Sequence, residues 1–317
     1  HLDDQCIGCQ YCTFTCPYDV PKYSKKKGIV HKCDMCISRL EVGQAPACVR
    51  ACPSGAIRIG LVETAAVRKN PKDYVQVPSA PDSHYTLPTT QYINKKGFPE
   101  NMSSADFYSI KPEHSHIPLI VMLVLTQLSV GAFWGVLFLR NHVTASFKDG
   151  LIPYCILMAF AAGLVALGAS LFHLGRPLYA FRAVVGLKRS WLSREIVLFG
   201  IFSVLATVYA VGSGMSLVPE SWSGFGSKSL GKGLMDILAV ATAGVGTLGV
   251  YSSVKVYQKT RRPFWDNPIT MFKFLLTMGI LGCSAVLLTT IIFVMTDEMA
   301  ISSMMQDFGS PLLGILA

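Results

Sequence analysis

Eight of the ten cysteines fall within the first 52 residues, in two groups of four. The groups are Cys6-x2-Cys9-x2-Cys12-x3-Cys16-Pro17 and Cys33-x2-Cys36-x11-Cys48-x3-Cys52-Pro53. Three thiolates spaced by two residues can reach three corners of a 4Fe–4S cube, and a fourth cysteine before a proline points to a neighbouring cluster. The spacing therefore predicts that all eight cysteines are ligands of 4Fe–4S clusters.

The pairing of these ligands depends on whether the chain acts alone. The crossed ferredoxin arrangement would place Cys6, Cys9, Cys12 and Cys52 on one cluster, and Cys33, Cys36, Cys48 and Cys16 on the other. Zinc is an alternative, but two CxxC pairs close a zinc site and leave three cysteines in a row unexplained. Disulfides fit less well, because cysteines this close bridge poorly and the flanking sequence is not that of a small secreted protein.

The composition excludes a single soluble domain. Of 317 residues, 15% are charged and 51% are hydrophobic, whereas soluble domains carry about a quarter charged residues. The apolar surplus is concentrated after residue 116, so two classes of domain are joined. The net charge of +9 does not predict nucleic-acid binding, because the basic residues of the second part lie between apolar runs, where they act as topology signals.

Five uncharged apolar runs occupy residues 117–139, 151–172, 196–218, 237–254 and 274–296. A bilayer core needs about 20 apolar residues in a helix, so these runs predict five membrane spans. The loops on the side of the cysteine-rich domain carry ten basic residues and the opposite loops carry four. This bias predicts a multi-pass protein of the bacterial cytoplasmic membrane with its N-terminal domain in the cytoplasm, unless export of a folded complex overrides the rule.

The predicted fold is therefore a small α+β bacterial-ferredoxin-like 4Fe–4S domain followed by an all-α polytopic membrane helix bundle. We expect the first domain at residues 1–60 and the membrane domain at 117–317. Residues 61–116 are rich in Pro, Ser, Asn and Gly and predict an irregular, mostly extended connection. This linker could be a flexible tether, or it could wrap a partner subunit with aromatic anchors.

A second candidate site lies in the stretch SLFHLGRPLYAFRAVVGLKRSWLSREIVLF. His173 closes the second span and Glu195 opens the third, so both reach the same membrane face. A histidine can accept the hydroxyl proton of a quinol and a carboxylate can pass it to water. Equally, His173 could cap a helix end, and Glu195 could be an acid stabilised by the helix dipole in a first turn. Bis-histidine haem needs two intramembrane histidines and only His173 qualifies, so no haem is expected.

Both sites carry a resemblance to one family. The stretches DQCIGCQYCTFTCPYDVP and KCDMCISRLEVGQAPACVRACPSGAI resemble the third and fourth cysteine groups of four-cluster subunits in the dimethyl sulfoxide reductase family of molybdopterin oxidoreductases. The stretches HLGRP, AFRAV, SWLSREI and VYQKTRRPFWDNPITMFKF resemble the membrane anchors of that family. In the family the third cysteine group shares clusters with the second, the fourth with the first, and the anchor has eight spans. We therefore expect a fragment that lacks both ends.

The resemblance also implies a function. It associates His173 and Glu195 with a menaquinol site, with Arg176 and Gln127 as further candidates. It implies an electron-transfer and anchor subunit that draws on the menaquinone pool of the lipid membrane. Electrons would pass through the clusters to a separate molybdopterin-containing catalytic subunit that reduces an acceptor such as dimethyl sulfoxide, so this chain would not itself reduce the substrate. Two alternatives stay open: quinone reduction for a partner that oxidises formate or a sulfur compound, and a zinc-binding membrane scaffold.

Overall fold

The computed structural model describes residues 4–74, 77–103, 108, 116–142, 145–217, 231–260, 262 and 264–296. Residues 297–317, the end of the predicted membrane domain, lie outside the described residues. The chain divides into two compact units. The first contains His1–Asp3, Tyr11–Ser24 and Val30–Ser115, and the second contains Asp4–Gln10, Lys25–Ile29 and His116–Ala317. Two short segments of the cysteine-rich region thus belong to the same unit as the apolar helices.

The cysteine-rich region has little regular structure. Its helices are α1 (Tyr11–Thr15), α2 (Ile37–Glu41) and α3 (Ala47–Ala51), and its strands β1 (Lys22–Ser24) and β2 (Ile29–His31) form a two-stranded sheet. The sheet places the side chains of Ile29 and Val30 in a buried position. A small α+β domain with short elements between cysteine loops is what the sequence predicts.

In its described residues, the linker region contains only short elements. These are α4 (Thr64–Lys69), a 3-10 turn at Pro71–Asp73 and α5 (Ser83–Thr86). The Ser83 hydroxyl donates to the Tyr74 carbonyl at 2.6 Å, and Val67 is buried. The described linker residues are therefore locally packed around these turns.

Five long helices form the second unit: α6 (Ile117–His142), α7 (Ala145–His173), α8 (Trp191–Gly214), α9 (Lys232–Gln258) and α10 (Pro268–Thr296). Each is long and apolar enough to cross a membrane, and each contains one of the five predicted apolar runs or most of it. A ten-residue 3-10 segment, Pro177–Gly186, connects α7 to α8. The helices therefore run up and down through the bundle, with α7 ending and α8 beginning at the same end.

Small residues set the closest helix crossing. A Cβ on Gly131 of α6 would lie 2.9 Å from the backbone carbon of Met278 in α10, and one on Gly282 would lie 2.6 Å from the nitrogen of Ala132. Close backbone approach at glycine is the usual way in which membrane helices gain packing energy without a hydrophobic driving force. The α6–α10 contact therefore depends on the absence of side chains at these positions.

Polar bonds connect the other helices. The Ser129 hydroxyl of α6 donates to the Ala159 carbonyl of α7 at 2.6 Å. The Arg140 guanidinium, at the end of the bundle away from His173, donates to the Tyr209 hydroxyl at 3.0 Å and pairs with Asp236. These bonds hold α6 against α7, α8 and α9.

Basic and aromatic side chains pair at the end where α7 and α8 meet. The Arg194 guanidinium lies 4.3 Å from the Trp191 ring centre, and the Lys255 ammonium lies 5.3 Å from that of Tyr251. Tryptophan, tyrosine and basic residues are enriched at the membrane–water boundary. Pairs of this kind are typical of the end of a membrane helix bundle that lies at the membrane–water boundary.

Candidate functional site

The second cysteine group lies at the ends of two short helices in the first unit. Cys36 is the N-cap of α2 with φ of 52°, in the left-handed region, and the Met35 N–H donates to the Cys33 sulfur at 3.4 Å. Cys52 is the C-cap of α3. Turns of this kind direct backbone N–H groups towards sulfur atoms, which suits thiolate ligands.

The Cys52 thiol lies among hydrogen-bond donors that favour its ionised form. Hydrogen bonds from the Ser54 hydroxyl and then from the backbone N–H groups of Ile57 and Ala56 lower the pKa of the Cys52 thiol to about 7. The thiolate is the form that binds metals. This environment therefore favours the ligand state.

None of the eight cysteines of the two groups is fully buried. Their number, spacing and accessibility fit iron–sulfur ligation. Among the described residues, no three His, Cys, Asp or Glu side chains gather closely enough to hold one metal ion. The assignment of particular cysteines to particular clusters therefore stays a prediction.

The loop that carries Cys6 and Cys9 packs against the segment that follows α7, and both belong to the second unit. The Gly175 N–H donates to the Gly8 carbonyl at 3.3 Å, and the Arg176 N–H donates to the Ile7 carbonyl at 3.1 Å. The backbone of the first cysteine loop is thus bonded directly to the end of the second membrane helix.

His173, the last residue of α7, contacts the same loop. Its ring centre lies 5.0 Å from that of His116, at nearly a right angle, and the backbone of Cys9 lies beside its ring. When one ring N–H donates to a backbone carbonyl, the other nitrogen of a neutral imidazole is an acceptor. A neutral His173 imidazole therefore has one ring nitrogen that can accept a hydrogen bond from a hydroxyl group.

Arg176 points towards backbone of the second unit. Its Nε donates to the Lys27 carbonyl at 3.3 Å, and its guanidinium lies 5.9 Å from the Tyr179 ring centre. Arg182 stacks on the same ring at 4.3 Å and donates to the Asp4 carbonyl. These contacts tie the connection after α7 to the cysteine loop, and a role for Arg176 in quinol binding stays a prediction.

Glu195 lies beyond the first turn of α8. The Ser190 side chain accepts from the Ser193 N–H and starts α8 at Trp191, so Glu195 is the fifth helical residue. Interpreting Glu195 as an acid of the first turn is therefore wrong, because the helix begins before the uncharged run. Five residues of helix span about 7 Å, and the Glu195 side chain is only 5% exposed.

The neighbours of Glu195 come from α9. Its Oε1 accepts a hydrogen bond from the Ser253 hydroxyl, and Tyr257, one turn further along α9, lies within electrostatic range. In the described part of the chain, Glu195 forms no ion pair. A buried carboxyl group with one hydroxyl donor and no cation is costly unless it binds a ligand or exchanges a proton.

His173 and Glu195 share an end of the bundle but not their immediate surroundings. Within the described residues, no hydrogen bond or ion pair joins them; His173 meets Cys9 and His116, whereas Glu195 meets Ser253.

A third polar group lies on α6, where Gln127 is 4% exposed and its Oε1 has no hydrogen-bond partner among described residues. An unpartnered buried acceptor is uncommon and is explained by a ligand or an ordered water.

Sequence reasoning missed Ser253, Tyr257 and the Cys9 contact of His173. Ser253 and Tyr257 are four residues apart and share one face of α9, but nothing in that spacing identifies their partner. Gly8, inside the first cysteine group, was the available signal for a close backbone approach.

These features define a class of protein: an iron–sulfur electron-transfer domain joined to a membrane-integral helical anchor. Residues 112–307 match the family described as "DMSO reductase anchor subunit (DmsC)". Residues 2–62 match the 4Fe-4S dicluster domain, which favours iron–sulfur clusters over zinc. The chain belongs to the DMSO reductase anchor subunit (DmsC) family, with a 4Fe–4S domain fused before the anchor.

Individual relatives match part of the chain. The chain is 41% identical over 86 residues to the B subunit of the anaerobic dimethyl sulfoxide reductase of Escherichia coli, covering 27% of this chain and 41% of the relative. It is 49% identical over 61 residues to the formate dehydrogenase-O iron-sulfur subunit of Escherichia coli, covering 19% and 20%. The chain thus spans about two fifths and one fifth of these relatives. No solved structure matches it.

Proposed function

We propose that this chain oxidises menaquinol at its membrane domain and delivers the electrons to a separate catalytic subunit. That subunit would contain molybdopterin and reduce a small acceptor such as dimethyl sulfoxide. Membership of the anchor family supports the membrane role, and the likeness to the B subunit of dimethyl sulfoxide reductase supports the direction of electron flow. The chain itself carries the quinol chemistry and the electron transfer, not the reduction of the final acceptor.

The observation that carries this proposal is the backbone contact between the turn after His173 and the loop of Cys9, in which Gly175 and Arg176 donate to the carbonyls of Gly8 and Ile7. It places the residue proposed to bind quinol beside a residue proposed to hold a cluster. Electron transfer between two redox groups falls off steeply with distance, so a quinol held at His173 would be close to its acceptor.

The chemistry requires that menaquinol lose two electrons and two protons to become menaquinone. When bound, the 4Fe–4S clusters accept these electrons one at a time. His173 orients a quinol hydroxyl by accepting its hydrogen bond through the unprotonated nitrogen of a neutral imidazole. Glu195, buried and bonded only to a hydroxyl donor among the described residues, is suited to receive a released proton. Gln127 offers an acceptor deeper in the bundle for a second polar group.

The membrane in question is proposed to be the bacterial cytoplasmic membrane, with the iron–sulfur domain in the cytoplasm. Ten basic residues in the loops on that side, against four on the other, support this orientation. Protons released from quinol on the cytoplasmic side would not build a transmembrane gradient.

The reverse direction is the second candidate. The likeness to the iron–sulfur subunit of formate dehydrogenase-O supports it, because such a module would receive electrons and reduce quinone. Cluster potentials vary widely and decide between the two directions.

The test uses anaerobic membranes that contain the full-length chain and its partner subunits. Menaquinol is added and the iron–sulfur EPR signals are followed in wild type, His173→Ala and His142→Ala. His142 is the matched control because it also ends a long helix, with its ring bonded to the Phe138 carbonyl, at the other end of the bundle.

We expect quinol to reduce the clusters in wild type and His142→Ala, and to reduce them slowly in His173→Ala with unchanged cluster content. Equal rates in all three proteins would refute the site. Clusters that stay oxidised with quinol but are reduced by dithionite would instead support the quinone-reducing direction.

A further inference from the structure

Two glycines of the cysteine-rich region meet the backbone of Gly175 at the end of α7. Gly8 has φ of +73° and Gly28 has φ of +66°, a region that L-residues with side chains rarely adopt. A Cβ on Gly8 would lie 2.9 Å from both the Cα and the nitrogen of Gly175, and one on Gly28 would lie 3.0 Å from its carbonyl carbon. We call the contact of Gly8, Gly28 and Gly175 the glycine seam.

The clash at each position involves backbone, which cannot rotate aside as a flexible side chain can. A Cβ on Gly8 would also approach the Gly28 carbonyl oxygen, and a Cβ on Gly28 the Gly175 carbonyl oxygen. The three backbones therefore pack directly on one another. Substitution by alanine must separate them.

Hydrogen bonds fix the seam from both sides. Two backbone bonds run from Gly175 and Arg176 to the carbonyls of Gly8 and Ile7. The Arg176 side chain donates to the Lys27 carbonyl, next to Gly28. Both chain segments that enter the seam are thus held by the same turn after α7.

The seam lies next to the contact between His173 and Cys9. Cys9 follows Gly8 directly, and His173 precedes Gly175 by two residues, so a shift at the seam moves one partner relative to the other. The separation of the His173 ring from the Cys9 backbone therefore depends on how closely the three glycines approach.

We propose that Gly8 and Gly28 are positioning residues for electron transfer from quinol. They let the first cysteine loop lie directly against the turn after α7, and so set how far a quinol held at His173 would lie from the cluster that Cys9 would ligate. This inference rests on the proposed quinol oxidation. The quinol still loses two electrons and two protons, and the seam sets only the separation of donor and acceptor.

The test compares Gly8→Ala and Gly28→Ala with Gly43→Ala in the complete membrane complex. Gly43 is the matched control because it has φ of +72° but open space where its Cβ would be, so it shares the backbone strain without the clash. Iron content and the dithionite-reduced EPR signal measure cluster loading. Hydrogen–deuterium exchange at the Gly175 and Arg176 amides measures the seam itself, independently of any electron transfer.

We expect faster exchange at these two amides in both seam variants, with full cluster loading. Quinol-driven cluster reduction should slow about ten- to a hundredfold, as small misplacements of reacting groups do. Gly43→Ala should match wild type in all three measurements. A wild-type rate of quinol-driven reduction in a seam variant whose amides exchange faster would overturn the inference.

A milder variant keeps the inference testable if the alanines prevent cluster loading. Arg182→Ala removes the bond to the Asp4 carbonyl without inserting an atom into the seam. Faster exchange at the Gly175 and Arg176 amides should accompany slower quinol-driven reduction, and unchanged exchange should accompany a wild-type rate; a mismatch in either direction would contradict the inference. Failure of the proposed function would give a different result from failure of this inference, because quinol would then not reduce the clusters of the wild-type complex at all.

Discussion

Replacing Glu195 by glutamine tests the proposed proton transfer most directly. The change keeps the size of the side chain and an oxygen that can accept from the Ser253 hydroxyl, but an amide cannot take up a proton at this site. A positioned general base typically contributes about 10²- to 10⁴-fold to a rate. We therefore expect quinol-driven cluster reduction to fall about a hundredfold, the lower end of that range, because His173 remains.

The structure indicates why this loss would be local. The Glu195 side chain is 5% exposed, and within the described residues it has no cation whose pairing the substitution would break. Ser253→Ala is the companion variant: it removes the single donor to the buried carboxyl group and should lower the free energy of unfolding by about 1–3 kcal/mol. Thermal unfolding in detergent separates this structural loss from the catalytic one.

The assay is stopped mixing of reduced quinol with oxidised membranes, followed by rapid freezing and EPR. Dithionite reduction measures the total clusters in each sample. A Glu195→Gln protein that reduces its clusters at the wild-type rate would refute the proton-transfer role. A loss of dithionite-reducible clusters in the same protein would refute the claim that the effect is local to the membrane site.

Three further predictions follow from individual contacts. Cys9→Ala should remove or convert a cluster signal, whereas Cys155→Ala, buried inside α7, should leave the EPR spectrum unchanged. Gly131→Ala should lower the free energy of unfolding of the bundle by about 1–3 kcal/mol through overpacking, measured by thermal unfolding. Gly168→Ala is its control, because a Cβ at Gly168 would meet open space. Arg140→Met removes the ion pair to Asp236 and also the hydrogen bond to the buried Tyr209 hydroxyl, so it should lower the free energy of unfolding by about 1–3 kcal/mol. It should not change quinol-driven reduction, and a large fall in that rate would contradict the assignment of the quinol site to the other end of the bundle.

Much of the architecture follows from patterns local in sequence. Each uncharged run is long enough to span a bilayer, and the apolar solvent leaves a helix as the only way to pair its backbone groups. Helix ends were harder to predict, because caps and interfacial residues extend a helix beyond its uncharged part. Trp191 and Arg194 belong to α8 for this reason, and the depth of Glu195 follows from where that helix begins.

The same distinction applies to the candidate site: features that are local in sequence were predictable, and contacts between distant residues were not. Cysteine spacing predicts ligands because three thiolates must lie on one tight loop, and the HLG motif indicated His173. The pairing of Glu195 with Ser253 could not be predicted, because it depends on the register in which α8 packs against α9.

Cys9 and His173 lie far apart in the sequence, and they come close because two glycines lack a Cβ atom that would hold the backbones apart. A glycine inside a cysteine motif is ordinarily interpreted as freedom for the turn, and Gly8 does adopt a positive φ. Gly43 adopts nearly the same φ, with open space where its Cβ would be, so the backbone conformation alone does not distinguish the two. What distinguishes Gly8 is the backbone of Gly175 beside it. The relation between the cysteine loop and the membrane helix is therefore a property of the packing, and the comparison of Gly8→Ala with Gly43→Ala isolates it.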